Sequence, residues 1–285
     1  MSRTAVFLIT TADRKGLVAE ITGFFAGLNL NILECRQYSD ILEKLYYMRV
    51  AVELPPELTR AAIEAEFRKL ADQLQLHFSI HYSGEVQNVA VMVSKTTHCL
   101  YDLLTSSEEN LLGSGKVKLV IGNHPELEDA AAKFRIPFYC FPISRSGDPD
   151  QERQIIELLD KHKIDLVVLA RYMRILSDDF ISHFPARIIN IHHAFLPAFM
   201  GGNPSQRAWE LGVKMIGATA HYATADLDEG PIIEQDVERI THESLPEDLR
   251  DRGRDIERRV LTRAVRAHLE HRVIISGHRT IVFSK

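Results

Sequence analysis

Asp165-Leu166-Val167-Val168-Leu169-Ala170, followed by Ile188-Ile189-Asn190-Ile191-His192, decides the fold class of most of this chain. The first run is apolar at consecutive positions, as a parallel strand covered by helices on both faces requires. The second repeats that pattern and ends in two polar residues, Asn190 and His192. Upstream, residues 89–93 and 117–121 read as further apolar strands, 98–104 and 126–134 as helices. Ile155, Leu158, Leu159 and His162 mark a helix leading into Asp165. Strand and helix therefore alternate from Asn88 onward. The expectation is a doubly wound, mainly parallel α/β domain, which binds ligands beyond the carboxyl ends of its strands. Near its end, Ser244-Leu245-Pro246-Glu247 has the form of a capping box opening a long helix. Leu249, Gly253, Ile256, Val260, Ala264 and Ala267 form the inward stripe of that helix. Residues 273–275 and 280–283 predict a small hairpin around Ser276-Gly277-His278-Arg279.

The first 83 residues follow a different pattern. Ala5-Val6-Phe7-Leu8-Ile9 suits a central strand, and Leu17, Val18, Ile21, Phe24, Phe25 and Leu28 recur at helical spacing. Residues 31–38 read as a strand. Met48, Val50, Val52 and Leu54 then alternate with Arg49, Ala51 and Glu53, the period of a half-buried strand, stopped by Pro55-Pro56. Ile63, Phe67, Leu70 and Leu74 form a second helical stripe, and residues 76–82 a last strand. The order βαββαβ predicts a ferredoxin-like unit with both helices on one sheet face. The polar break Ser83-Gly84-Glu85 places a linker at 84–87, dividing residues 1–83 from 88–285.

A chain of 285 residues matches the length prior for about two domains. A formal net charge of −5 argues against a nucleic-acid backbone or an anionic membrane surface as partner. No run approaches the roughly 18 apolar residues that span a bilayer, and residues 1–9 lack a signal-peptide stretch. Cys35, Cys99 and Cys140 are odd in number and show no CxxC spacing, so we expect buried, reduced thiols in a cytoplasmic protein. No His/Cys/Asp cluster has metal-ligand spacing, so no metal is expected.

Asn190 and His192, two apart on a strand, project to one face at its carboxyl end. There an amide donor and an imidazole can converge on one oxygen, as acyl chemistry needs when a carbonyl carbon becomes tetrahedral. A turn-capping Asn beside a satisfied core His reads equally well from this pair alone. A second stretch, Ala220-His221-Tyr222-Ala223-Thr224-Ala225-Asp226-Leu227-Asp228-Glu229-Gly230-Pro231, predicts a strand end followed by an acidic turn. Asp226 and Glu229 fit turn chemistry. Asp228, between apolar Leu227 and Pro231, is expected to be partly buried, with its pKa raised toward a proton shuttle's range. His193 is expected on the opposite side of the strand, as a structural residue.

Together the two stretches resemble the formyltetrahydrofolate-dependent formyltransferase family: Asn190, His192, Leu196-Pro197, then His221 and Asp228 in a loop ending Gly230-Pro231. Leu169-Ala170-Arg171-Tyr172-Met173-Arg174-Ile175-Leu176-Ser177 is similar to the loop in which that family grips a pterin. The resemblance implies folate contacts at Met173, Arg174, Ile175 and Leu176, with backbone groups of Arg174 and Leu176 reading the pterin edge, and at Thr224. Thr10-Thr11-Ala12-Asp13-Arg14-Lys15-Gly16-Leu17-Val18 resembles the first loop of an ACT domain, with Thr11-Ala12 where that family often has Cys-Pro. An ACT domain ahead of the catalytic domain is the layout of the family's deformylase branch. That branch implies hydrolysis of 10-formyltetrahydrofolate to formate and tetrahydrofolate, serving one-carbon and purine supply. Asn190, His192 and Asp228 would be the chemical centre, and His221 would orient the acid or the water. Folate is then the substrate, water the acceptor, and no cofactor is called for. The ACT resemblance implies a homo-oligomer and an amino-acid effector near Asp13 and Gly16, or a dimerisation module that binds nothing.

No glycine lies between Ser94 and Leu104, where transferases to a phosphorylated amine carry a Gly-rich phosphate turn. Ala194, Met200 and Ser205-Gln206 depart from the deformylase pattern of Ser, Lys and Tyr-His. Two other readings follow from these departures and the shared site: a formyltransferase to a small amine, and a catalytically idle folate- or amino-acid-binding regulator.

Overall fold

The computed structural model describes residues 3–142, 149–197 and 204–285. Met200 lies outside the described residues. The chain forms two compact units: Met1–Glu85 with His271–Ile274 and Ile281–Lys285, and Val86–Glu270 with Ile275–Thr280. The second unit does not run unbroken to residue 285, because parts of the terminal hairpin group with the first.

The first unit runs β1 (Arg3–Ala12), α1 (Leu17–Gly27), β2 (Ile32–Asp40), β3 (Leu45–Leu54), α2 (Arg60–Leu74), β4 (His77–Tyr82). Its sheet has the order β2-β3-β1-β4, antiparallel throughout, the ferredoxin-like arrangement expected. Alternate residues Ala5, Phe7 and Ile9 of β1 are fully buried against Leu17, Ile21 and Phe25 of α1 and Ile63 and Phe67 of α2. Phe7 meets Phe25 and Phe67 with ring centres 4.9 and 4.7 Å away, in edge and tilted geometries that aromatic quadrupoles favour. Alternation along β3 is less clean than its sequence suggests, for Arg49 is buried as well. Its guanidinium is held by Glu34 at 2.7 Å and the His271 carbonyl at 2.9 Å, which compensates its desolvation. Asp13 and Gly16 share the exposed loop ahead of α1, Gly16 at φ +94°.

The second unit runs β5 (Gln87–Val93), α3 (His98–Glu108), β6 (Gly115–Gly122), α4 (Glu128–Lys133), β7 (Phe138–Cys140), α5 (Pro149–Lys161), β8 (Leu166–Ala170), α6 (Asp178–His183), β9 (Ile188–His192), α7 (Pro204–Glu210), β10 (Met215–Tyr222), β11 (Ile232–Arg239), α8 (Pro246–Leu269). The chain ends in the hairpin β12 (Val273–Ser276) and β13 (Arg279–Val282). Seven strands order as β11-β10-β9-β8-β5-β6-β7. The stretch from β9 to β7 is parallel, while β10 and β11 add antiparallel strands. Ala90 and Met92 pack on the α5 and α6 side with Ile155, Leu159 and Phe180; Val89, Val91 and Val93 face the other side. The strand order reverses between β5 and β8, and the crevice beyond their carboxyl ends is the place for a ligand. β7, α6 and α7 have no counterpart in the sequence reading, being too short for a periodicity to declare itself.

Two local expectations are corrected. The helix α8 is capped one residue later than expected: Leu245 is the N-cap, and its backbone N–H donates to Asp248 Oδ2 at 2.8 Å. Of the cysteines only Cys99 is buried; Cys35 and Cys140 are exposed. Both lie on strands at the edges of their sheets, β2 and β7. No helix among the described residues is long and apolar enough to cross a membrane.

Candidate active site

Antiparallel pairing of β9 with β10 assembles the chemical centre from the two distant stretches. Asn190 stands opposite His221, and His192 opposite Thr219. His221 Nδ1 lies 3.0 Å from the Tyr222 carbonyl, which can only accept. Nδ1 therefore donates to it, and Nε2 lies 3.2 Å from Asn190 Nδ2. Asn190 keeps a second N–H on the same nitrogen for the cavity. The loop after β10 then brings Asp228 back: its Oδ2 lies 3.2 Å from His192 Nδ1, and its Oδ1 3.6 Å from His221 Nε2. His192 Nε2 is buried without a hydrogen-bond partner, and the residue lines the cavity. Sequence-predicted Asn190, His192, His221 and Asp228 are thus brought together, with buried His221 behind the other three.

Asp228 does not have the raised pKa expected of it. Hydrogen bonding to His192 and then to His221 holds its carboxyl well below the usual range, outweighing the desolvation that would raise it. The acid is partly buried, as anticipated, yet two imidazoles favour its charged form.

A cavity of about 550 Å³ lies over this centre, lined from the ends of β8 and β9, from β10, and from α8. Of the expected folate contacts, Met173, Arg174 and Ile175 line it; Met173 and Ile175 are 63% and 71% exposed, leaving an apolar rim. Tyr172, just before them, anchors the loop: its carbonyl accepts from Asn123 Nδ2 at 3.0 Å and from the Ser94 hydroxyl. Leu176 and Thr224 do not line the cavity. Leu176 packs into the core beside Phe180, and Thr224 Oγ1 donates to the Asp226 carbonyl at 3.0 Å, a turn contact. Asp226 and Glu229 are exposed turn residues.

Other cavity residues were not foreseen. Glu257 on α8 is buried, with His98 Nε2 at 2.8 Å and Arg171 Nε at 3.5 Å. Burial alone would raise its pKa; the hydrogen bond with His98 and the charge of Arg171 more than reverse that. A signal existed: Glu257 stands one turn from Gly253 and Val260, inside the inward stripe of α8. His98, Cys99 and Glu257 also bring three ligand-type atoms within 4.8 Å of one another, a grouping that sequence spacing cannot display. Glu257 is already engaged there, and burial and Glu257 hold the Cys99 thiol well above its ordinary pKa. His193 lines the cavity too, with its ring 5.1 Å from that of His192, and is not merely structural packing behind the strand. It follows the last residue of β9, where strand alternation no longer governs direction.

Residues 87–265 match the family model described as formyl transferase. The chain is 47% identical to a formyltetrahydrofolate deformylase of Synechocystis over 99% of both chains. It is 42% identical to one of Bacillus subtilis, over 97% of this chain and 93% of the other. A solved formyltetrahydrofolate deformylase from Pseudomonas syringae superposes with a TM-score of 0.95 at 37% identity, covering 100% of this chain and 95% of that one. These matches extend through the N-terminal unit as well as the formyl transferase region, and the chain belongs to the formyltetrahydrofolate deformylase family.

Proposed function

We propose that this chain hydrolyses 10-formyltetrahydrofolate to tetrahydrofolate and formate, with no cofactor. One observation carries the reading: Asn190 and His192, the latter braced by Asp228 and with a buried, unpartnered Nε2, line the same cavity. The pterin lies on the rim formed by Met173, Arg174 and Ile175, and the formyl oxygen between Asn190 and His192. Charge developing on that oxygen is met by the free Asn190 N–H and by an N–H on His192 Nε2, while Asp228 stabilises the positive ring. His221 fixes the Asn190 amide from behind. N10 takes a proton as it leaves.

Water fits better than a phosphorylated amine as acceptor. The first turn of α3 is glycine-free, and its His98 contacts the buried Glu257 carboxylate, a poor neighbour for a phosphate. Purified protein given 10-formyltetrahydrofolate and no amine should release formate in step with tetrahydrofolate. Formate release only on adding an amine acceptor would replace hydrolysis with transfer. Asn190→Ala should lower kcat about a hundred- to thousand-fold, the usual worth of one oxyanion donor, with little change in melting temperature.

The N-terminal unit supports a further reading as an ACT domain, on the strength of its βαββαβ order and the Asp13–Gly16 loop. It would join copies of the chain into a homo-oligomer and bind an amino acid near Asp13 and Gly16. Calorimetry against an amino-acid panel should show saturable binding by one member that weakens in Asp13→Ala. An absence of heat across the panel leaves dimerisation as the unit's role.

A further inference from the structure

Arg171 follows the last residue of β8, at the carboxyl end of the parallel sheet. Its side chain is 18% exposed and lines the same cavity as Asn190 and His192. A guanidinium carries five N–H donors. Here Nε and Nη1 are buried without a hydrogen-bond partner, and Glu257 Oε2, 3.5 Å from Nε, supplies only an opposite charge. Buried donors in native proteins are almost always satisfied, so these call for an acceptor that the reaction brings. The backbone holds the side chain there at some cost. Arg171 has φ +64° and Met173 φ +56°, a region that residues with a β-carbon rarely adopt. Between them the Tyr172 carbonyl is pinned by Asn123 Nδ2 and the Ser94 hydroxyl, the over-determined setting in which such strain persists.

We infer that Arg171 is the seat of the formate product, a small-carboxylate site beside the chemical centre; the assignment rests on the deformylase reading. Hydrolysis creates one new charged species, and it is a carboxylate, the anion whose plane a guanidinium matches best. Formate released at Asn190 and His192 lies next to the ionised Asp228, and like charges repel. The cavity as a whole favours an anion, with Arg171, Arg174, Arg250 and Arg254 lining it against Asp228 and Glu257. Depth selects which arginine takes formate. Arg174, Arg250 and Arg254 are exposed and suit the carboxylates of the substrate's glutamate tail, whereas the buried Arg171 suits a one-carbon ion. Glu257 beside it keeps the affinity low, as a product that must leave requires.

The test is an equilibrium titration of the full chain with 13C-formate, read from the NMR line width in the absence of substrate. A three-atom ligand binds no tighter than about millimolar, so saturable broadening in that range is expected of the parent. Arg171→Gln should weaken it at least about ten-fold, the worth of a charge-assisted hydrogen bond. Arg171→Lys keeps the charge but loses the planar fork, and should fall between the two; it decides the matter where the glutamine variant does not fold. Added formate should also slow turnover of the parent at lower concentrations than it slows Arg171→Lys. Parent-like formate binding in either variant would overturn the assignment. So would a parent that shows no saturable broadening, and a rise in KM for 10-formyltetrahydrofolate in its variants would then give the guanidinium to the substrate's tail. The titration contains no substrate, so its failure is separate from that of the deformylase reading, which the amine-free assay tests.

Discussion

Asp228→Asn should lower kcat for formate release by about a thousand- to ten-thousand-fold while the protein stays folded. The carboxylate accepts from His192 Nδ1 at 3.2 Å, which leaves Nε2 buried and without a partner in a residue that lines the cavity. An amide in its place offers either an N–H that clashes with the Nδ1 proton or an oxygen without charge. In the first case the imidazole changes tautomer; in the second its protonated form loses its partner. Either outcome removes the positive ring from the developing oxyanion, so the loss belongs to kcat and tetrahydrofolate binding changes little. The pH dependence separates this role from that of a base. Folding lowers the Asp228 pKa below its ordinary 3.8, so its contribution to stability is complete above that value and is lost as pH falls through the folded value. No limb of the rate profile near neutrality should therefore belong to Asp228. A parent profile whose limb near pH 6 to 7 vanishes in Asp228→Asn, with turnover otherwise retained, would restore the shuttle role that its sequence neighbours suggest.

The fold was legible because its signals are local. A parallel strand buried on both faces writes itself as Leu166-Val167-Val168-Leu169-Ala170, and the half-buried β1 alternates at period two. The Asn190–His192 pair was legible for the same reason, since strand alternation alone puts both side chains near one point. What escaped depends on the third dimension. Leu227 and Pro231 announced burial at Asp228, but the sign of its pKa shift depends on two imidazoles arriving from β9 and β10. Leu176 follows Ile175 in an apolar loop, yet only one of them faces the cavity. The His98–Glu257–Arg171 cluster joins three elements far apart in sequence, so no spacing within one segment could reveal it.

Gly230→Ala is the substitution expected to do most damage without touching a chemical group. Gly230 is buried, and a Cβ added there would lie 1.7 Å from the Tyr222 carbonyl oxygen and 3.3 Å from His221 Nδ1. The glycine is needed for space, because backbone rather than a flexible side chain blocks the methyl group. The carbonyl it would strike is the acceptor that sets the His221 tautomer, and Tyr222 N–H donates to the Pro231 carbonyl at 3.0 Å. Relief of the clash must move either the end of β10 or the loop that carries Asp228, itself held at φ +60°. Destabilisation of roughly 2 to 4 kcal/mol is expected, lowering Tm by roughly 5 to 10 °C. Formate release should fall at least about a hundred-fold even in the fraction that stays folded, since small misplacements of catalytic groups carry such costs. Gly23→Ala supplies the control. Gly23 lies inside α1 with nothing within 4 Å of an added Cβ, so alanine should be neutral or stabilise by about 0.5 to 1 kcal/mol. A Gly230→Ala protein that melts and turns over like the parent would mean that the loop is free to shift. Asp228 could then not be the fixed brace of His192.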